Sequence, residues 1–255
     1  QKTAYEIPLR LVGSEMCIRD RFSFCILPDL RIASDTNSIR YGEVRCGVKV
    51  EIISHNLILD RLSRLRDAKT SNKAFRQNLH DLSTFLVYEA MRHIALDKQT
   101  VETPLTSTDG WALASSPILV PIVRAGLGML DGALSLLPDS DVCFLGARRD
   151  EETFQPEIYM NTLPDDLAGA DVIALDPMLA TGGSLLHALR VIAASGAGII
   201  TAVSILAAPE GVNAIESSGI NGQLFVGFVD EGLNDSAFIV PGLGDAGDRQ
   251  FGRIN

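Results

Sequence analysis

The stretch that most constrains this chain is Val172–Ser184, Val-Ile-Ala-Leu-Asp-Pro-Met-Leu-Ala-Thr-Gly-Gly-Ser. Four apolar residues end on Asp176, a short loop follows, and Leu185, Leu186, Leu189 and Ile192 then recur at helical spacing. The pattern predicts strand, loop and helix. Thr181, Gly182, Gly183 and Ser184 fall at the helix start, where backbone N–H groups lack intrahelical partners and the helix dipole favours an anion. Asp176 stands at the carboxyl end of the strand, where open α/β sheets place their ligands. A bare phosphate has no need of a carboxylate beside it; a phosphorylated sugar with hydroxyl groups does. The stretch carries neither the Gly-Lys-Ser/Thr of a nucleotide P-loop nor a Gly-x-Gly-x-x-Gly turn. The alternative is an ordinary strand-to-helix turn with an Asp and a Ser cap.

Composition narrows the partners. With 255 residues, 46% hydrophobic and 21% charged, the chain has room for one large domain or two small ones and can bury a sizeable core. A net charge of −10 argues against a nucleic-acid partner. Only three of the 22 Lys and Arg residues, Arg190, Arg249 and Arg253, follow residue 150. A phosphate at the 176–184 loop must therefore rely on backbone N–H groups, a metal ion or arginines from earlier in the chain. Cys17, Cys25, Cys46 and Cys143 lack metal-like spacing and read as reduced thiols of a cytoplasmic protein. No apolar run has the length of a membrane span, and Phe22–Leu27 is too short for a signal-peptide core.

Taken in order, residues 1–47 form an atypical N-terminal extension with no sustained period. Val12–Arg21 looks like translated adapter sequence, so residues 1–21 are set apart from fold reasoning; the alternative is a genuine extension packing on a partner subunit. Residues 48–255 are read as one domain. Val48–Ile53 alternates like a strand. Ser54 is placed to cap a helix with Leu57, Ile58, Leu62 and Leu65 on its inner side. Ser71 caps a longer one carrying Phe75, Leu79, Leu82, Leu86 and Ala90. These helices suit a hood, with His80 and His93 at the surface. Thr106–Ser116 reads as a loop with Trp111 as a packing anchor.

Pro117–Val123 is a continuous apolar run, the mark of a strand buried on both faces. Arg124-Ala-Gly-Leu-Gly-Met129 follows, then helical spacing to Leu136: a second strand–loop–helix, this time with an arginine built in. Asp141–Ala147 reads as a strand, 148–165 as a flexible hairpin, Ile199–Ala207 and Leu224–Val229 as strands, and Pro209 as an early helix residue. Repeated strand–helix alternation predicts an α/β fold with a doubly wound parallel sheet. The last segment, Phe238–Phe251, holds three glycines and two acids between apolar anchors, which a solvated tail would not need.

Five segments together, Ile122–Met129, Asp150–Thr153, Asp176–Ser184, Ala207–Gly211 and Pro241–Arg249, closely resemble the uracil phosphoribosyltransferase family, in family order and over about residues 48–252. The resemblance implies transfer of the phosphoribosyl group of 5-phosphoribosyl 1-diphosphate (PRPP) to uracil, giving UMP and diphosphate with Mg²⁺. It implies that Asp176, Pro177, Met178, Leu179, Ala180, Thr181, Gly182, Gly183 and Ser184 bind PRPP, with amides of Leu179–Ser184 on the 5-phosphate and Asp176 on the ribose hydroxyls. Arg124 and Arg149 would hold the diphosphate, and a backbone bend after Arg124, such as a non-proline cis peptide, is implied by the wider fold. Backbone groups of Ile239, Gly244 and Ala246 would read uracil. Asp245 would meet PRPP or water on Mg²⁺. Arg124, Arg149, Asp176 and Asp245 are the catalytic set so implied, with hairpin closure excluding water. A homodimer or higher homo-oligomer, with a surface from the apolar helices of 54–93, and a GTP effector are further family expectations. One departure is Thr162, where many relatives carry a hairpin lysine.

Overall fold

The computed structural model describes residues 47–149 and 156–252, without the side chains of Arg148, Arg149 and Pro156. They belong to one compact unit, Val44–Asn255. The expectations for residues 1–46, including the adapter-like 1–21, fall outside the described residues.

In chain order the elements are β1 (Val48–Ile52), α1 (Asn56–Arg66), α2 (Asn72–Ala90), β2 (Leu96–Glu102), β3 (Ser107–Leu113), β4 (Ile118–Val123) and α3 (Leu127–Leu134). There follow β5 (Leu145–Arg149), β6 (Pro156–Asn161), β7 (Val172–Leu175), β8 (Met178–Leu179), α4 (Gly183–Ala194) and β9 (Ile200–Ala207). The last are α5 (Pro209–Glu216), β10 (Gly222–Val229), β11 (Gly232–Leu233), β12 (Ile239–Val240) and α6 (Ala246–Phe251).

The main sheet runs β1-β10-β9-β7-β4-β5-β6, with β8 added alongside β9. Its pairings are parallel except the last, where β6 returns antiparallel to β5. All eight residues of β9 are buried, as a parallel strand covered on both faces requires. Successive strand residues point to opposite faces, and the two cores divide that way. Leu119, Ile173, Leu175, Val203 and Ile205 pack with Phe75, Leu79, Leu82 and Leu86 of α2 and Met129 of α3. Val120, Ala174, Ala202 and Leu224 pack with Leu185, Leu189 and Ile192 of α4 and Ile215 of α5. Helices on both faces make the sheet doubly wound.

Strand order fixes where the site must be. From β4 the chain moves outward one way to β5, whereas β7, β9 and β10 build outward the other way. β4 and β7 are neighbours at this switch, paired from Ile118↔Val172 to Pro121↔Leu175. A crevice opens beyond the carboxyl ends of such a pair. The next residues are Arg124 after β4 and Asp176 after β7.

Five expectations need correction. Thr106–Ser116 is not a loop: Leu96–Glu102 and Ser107–Leu113 form a two-stranded antiparallel ribbon, closed by a turn in which Thr103 N–H donates to the Thr106 carbonyl at 3.1 Å. Trp111 is no packing anchor; it is 63% exposed on β3. Helix α1 is capped by His55, whose Nδ1 accepts from Leu57 N–H at 3.1 Å, not by Ser54, and Leu57 faces outward while Ile58, Leu62 and Leu65 face the core. The strand expected from Asp141 begins at Leu145, because Val142 makes only an isolated bridge to Leu119. Ser71 does cap α2, accepting from Ala74 N–H at 3.3 Å.

Candidate active site

Asp176 is set by the sheet below it. Its N–H donates to Val203 of β9 at 3.1 Å, and its carboxyl, 9% exposed, accepts a long bond from Met178 N–H at 3.4 Å. Burial pushes its pKa up to about 7, the Met178 amide opposing the shift. Within the cleft this carboxylate is under-solvated and suited to hydroxyl donors. The loop after it is not loose. Leu206 N–H donates to the Pro177 carbonyl at 3.1 Å and Ala208 N–H to that of Leu179 at 2.9 Å, so Met178–Leu179 lies as β8 against β9. Gly182 then opens α4 at φ +82°, a conformation glycine adopts without strain. Gly182 has no side chain to cap α4, and the first-turn Gly183 N–H makes only a long bond to Thr181 Oγ1 at 3.4 Å. Gly211 lets α5 press on this loop, since a Cβ there would stand 2.5 Å from the Ala180 carbonyl oxygen.

Arg124 faces Asp176 across the switch. The cis peptide precedes it, at Val123–Arg124; the bend expected after the arginine lies before it. Its side chain is 54% exposed, with Nη2 3.5 Å from Asp248 of α6. Arg149 ends β5, with its backbone paired to Pro156; its side chain and the Asp150–Thr153 motif lie outside the described residues. The root of the hairpin is fastened by Thr162, whose Oγ1 accepts from Phe144 N–H at 2.7 Å while its own N–H donates to the Phe144 carbonyl at 3.0 Å. Thr162 therefore does structural work where many relatives are expected to carry a charge.

The third wall is the C-terminal loop, bound tightly to the hood. Asp230, 7% exposed, accepts from Gly242 N–H at 2.8 Å and from Arg66 Nη1 at 2.9 Å, and Arg66 Nη1 also reaches the Gly242 carbonyl at 3.0 Å. Arg249 donates to the carbonyls of Leu243 at 2.9 Å, Asp67 at 2.6 Å and Leu65, and lies 4.7 Å over the Phe75 ring. Between these clamps Gly244 takes φ +81°. A Cβ there would make only ordinary contact, 3.6 Å from Arg249 Cδ, so backbone conformation, not crowding, calls for glycine. Asp245 caps α6, its Oδ1 accepting from Asp248 N–H at 2.7 Å.

These walls enclose one cavity of about 360 Å³. Of the residues expected to act, Arg124, Asp176, Met178, Ala180, Ser184, Ile239, Gly244, Asp245 and Ala246 line it. Pro177, Leu179, Thr181, Gly182 and Gly183 shape the loop without lining the cavity, Leu179 being 1% exposed in β8. Ala125, Gly247, Ala237 and Phe238 also line it and were not foreseen. The signal for the last two was the turn-forming Asn234, whose Oδ1 accepts from Ser236 and Phe238 N–H at 3.0 and 2.9 Å.

Known proteins match this arrangement. The family model described as uracil phosphoribosyltransferase matches residues 52–253. A uracil phosphoribosyltransferase of Corynebacterium diphtheriae is 51% identical over 208 residues, 82% of this chain and 99% of that protein. One of Corynebacterium efficiens is 48% identical over 206 residues, 81% of this chain and 98% of the relative. Among solved structures, the AQ2163 protein of Aquifex aeolicus superposes with a TM-score of 0.76 at 43% identity, covering 80% of this chain and 98% of that one. With the switch-point cleft already in place, a match of this extent settles the family: the chain belongs to the uracil phosphoribosyltransferases.

Proposed function

We propose that this chain acts in pyrimidine salvage, transferring the 5-phosphoribosyl group of PRPP to uracil and releasing UMP and diphosphate. The observation that carries the reading is convergence. A buried carboxylate, the start of α4, Arg124 and the Gly244–Ala246 turn open on one cavity, in a chain of this family.

In this reading the amides from Ala180 to Ser184 take the 5-phosphate, helped by the N-terminus of α4, while Leu179, buried in β8, only positions the loop. Ribose hydroxyls donate to Asp176 and favour its ionised form. Arg124 and Arg149 hold the diphosphate, and their hydrogen bonds strengthen as that group gains charge on leaving, which is the condition for catalysis. Backbone groups of Ile239, Gly244 and Ala246 bind the uracil edge, where a carbonyl accepting from N3–H leaves neutral cytosine unpaired. Such a mismatch costs about 1–3 kcal/mol per group.

Among the described residues no cluster of three or more His, Cys, Asp or Glu forms a metal site. Mg²⁺ would enter on the oxygens of PRPP, and Asp245, which lines the cavity and uses one carboxylate oxygen in capping, would meet it through water. The ion would supply positive charge beside the leaving diphosphate. No helix among the described residues is long and apolar enough to cross a membrane; a cytoplasmic setting belongs to the proposal. So does a homodimer, supported by the exposed Leu57, Tyr88, Leu113 and Leu136, which line two adjoining apolar depressions beside the hood. A GTP response is carried in the same way. Radiolabelled uracil tests the whole: UMP should form only with both PRPP and Mg²⁺, GTP should change the rate, and purine bases should not compete. Absence of UMP would overturn the reading.

A further inference from the structure

Helix α6 carries a residue that packing alone does not explain. Gln250 is completely buried. Its Nε2 donates back one turn to the Ala246 carbonyl at 2.8 Å and across to the Ala125 carbonyl at 2.9 Å. Both alanines line the cleft. Ala125 follows Arg124, and Ala246 follows Asp245. One amide thus ties the diphosphate wall to the uracil wall.

Its other end has no such partner. Gln250 Oε1 is enclosed without a hydrogen bond and abuts Gly128 of α3, where a Cβ would stand 1.8 Å from it. An unsatisfied buried acceptor weakens a fold, so an apolar residue of this size would pack at least as well. The two N–H donors are what an apolar residue lacks. The main chain of Gln250 is itself anchored, its carbonyl accepting from Arg76 of α2 at 2.5 Å. A second tie, Arg124 to Asp248 at 3.5 Å, joins a half-exposed arginine to a less exposed carboxylate and engages the guanidinium that diphosphate would claim. The Gln250 bridge uses a main-chain carbonyl and does not compete with substrate.

We propose that Gln250 is a positioning residue that couples the two halves of the cleft, setting the spacing between the Arg124–Ala125 loop and the Asp245–Ala246 turn so that PRPP and uracil meet at reacting distance. The inference rests on the phosphoribosyl-transfer reading of the cleft. Each half keeps its own anchors, so loss of the bridge should spare binding and slow turnover, the signature of lost mutual orientation.

Gln250→Met removes the donors and the orphaned acceptor at nearly constant volume. Its melting temperature should stay within about 3 °C of the parent. PRPP affinity by calorimetry, without uracil, should stay within about threefold, while kcat for UMP formation falls by about tenfold. Gly128→Ala perturbs the bridge from the other side. It favours the helix but pushes Gln250 Oε1 and Leu79 Cδ2 aside, and it should show the same split with Gln250 present. The proposal is overturned if kcat of Gln250→Met stays within about twofold, or falls only as far as PRPP affinity falls. Should Gln250→Met not fold, a normal kcat in Gly128→Ala overturns it alone. A parent enzyme that makes no UMP defeats the functional reading itself; an active parent with unaffected variants defeats the coupling only.

Discussion

Asp176→Asn separates two roles that burial gives this residue. Burial, the largest cause, pushes its carboxyl from an ordinary 3.8 up to about 7 in the folded protein. The folded-state pKa is raised, so between those values the native chain holds a proton that the unfolded chain has released. Stability contributed by the group is therefore full below the unfolded value and is lost as pH rises through the folded one. A shift of this size corresponds to roughly 4 kcal/mol, and relaxation and water entry reduce the observable cost to about 2–4 kcal/mol. Asparagine stays neutral and still offers Oδ1 to Met178 N–H. Urea unfolding of parent and variant should therefore differ by only about 1 kcal/mol at pH 4.5, just above the unfolded value. At pH 8.5 the variant should be more stable by about 2–4 kcal/mol. Activity should move the other way. Ribose hydroxyls bound to an amide instead of a carboxylate lose about 1.5–3 kcal/mol, a ten- to hundredfold loss in kcat/KM. A stability difference independent of pH would refute the burial argument. A variant with parental kcat/KM would remove Asp176 from the ribose site.

How far this was legible in sequence depended on whether a residue's partner was local. The α2 repeat Phe75, Leu79, Leu82, Leu86 faces a core, and a period of three to four residues reports that directly. The uniform apolar run 117–123 similarly announced a strand covered on both faces, and two strand–loop–helix units implied a switch-point cleft between them. The β2–β3 ribbon escaped because β2 is exposed throughout and β3 nearly so; with no buried face, hydrophobic alternation has nothing to report. Trp111 misled for the same reason, since a large aromatic suggests a core and here rides on that ribbon. The clamps on the C-terminal loop were silent for another. Arg66 and Asp230 are 164 residues apart, and Gln250 and Ala125 are 125 apart. Neither pairing leaves a spacing pattern. The motif Pro241–Arg249 disclosed that the loop matters, and only the fold disclosed what holds it.

The other substitutions probe each wall in turn. Arg124→Ala should fold normally, since the side chain is 54% exposed, and should lose about 2–4 kcal/mol of transition-state stabilisation in steady-state kinetics; near-full activity would end its assigned role. Asp245→Asn keeps the α6 cap, because Asn and Asp cap comparably, so melting temperature should hold while kcat falls more than uracil binding weakens. Asp245→Ala should also destabilise, by about 1 kcal/mol, as the cap is lost. Gly244→Val imposes a β-branched side chain on a φ of +81° at the cavity wall. It should abolish uracil binding while calorimetry still detects PRPP, and normal conversion of uracil would place the base elsewhere. Arg66→Ala reaches the same loop from behind. Asp230, whose side chain is 1% exposed, would keep Gly242 N–H but lose its cation, and a buried charge left without its partner costs about 3–5 kcal/mol. Arg66 is itself 22% exposed and water can enter, so the lower end of that range applies. The Gly242 carbonyl loses its donor at the same time, and Gly244 and Ala246 lie just beyond it. KM for uracil should therefore rise several-fold while KM for PRPP, whose anchors sit on β4 and β7, stays near the parent value. Asp230→Asn with Arg66→Met, removing both charges together, should recover stability over Arg66→Ala alone and not recover uracil KM. If the single substitution leaves melting temperature and uracil KM unchanged, the clamp does not hold the base loop.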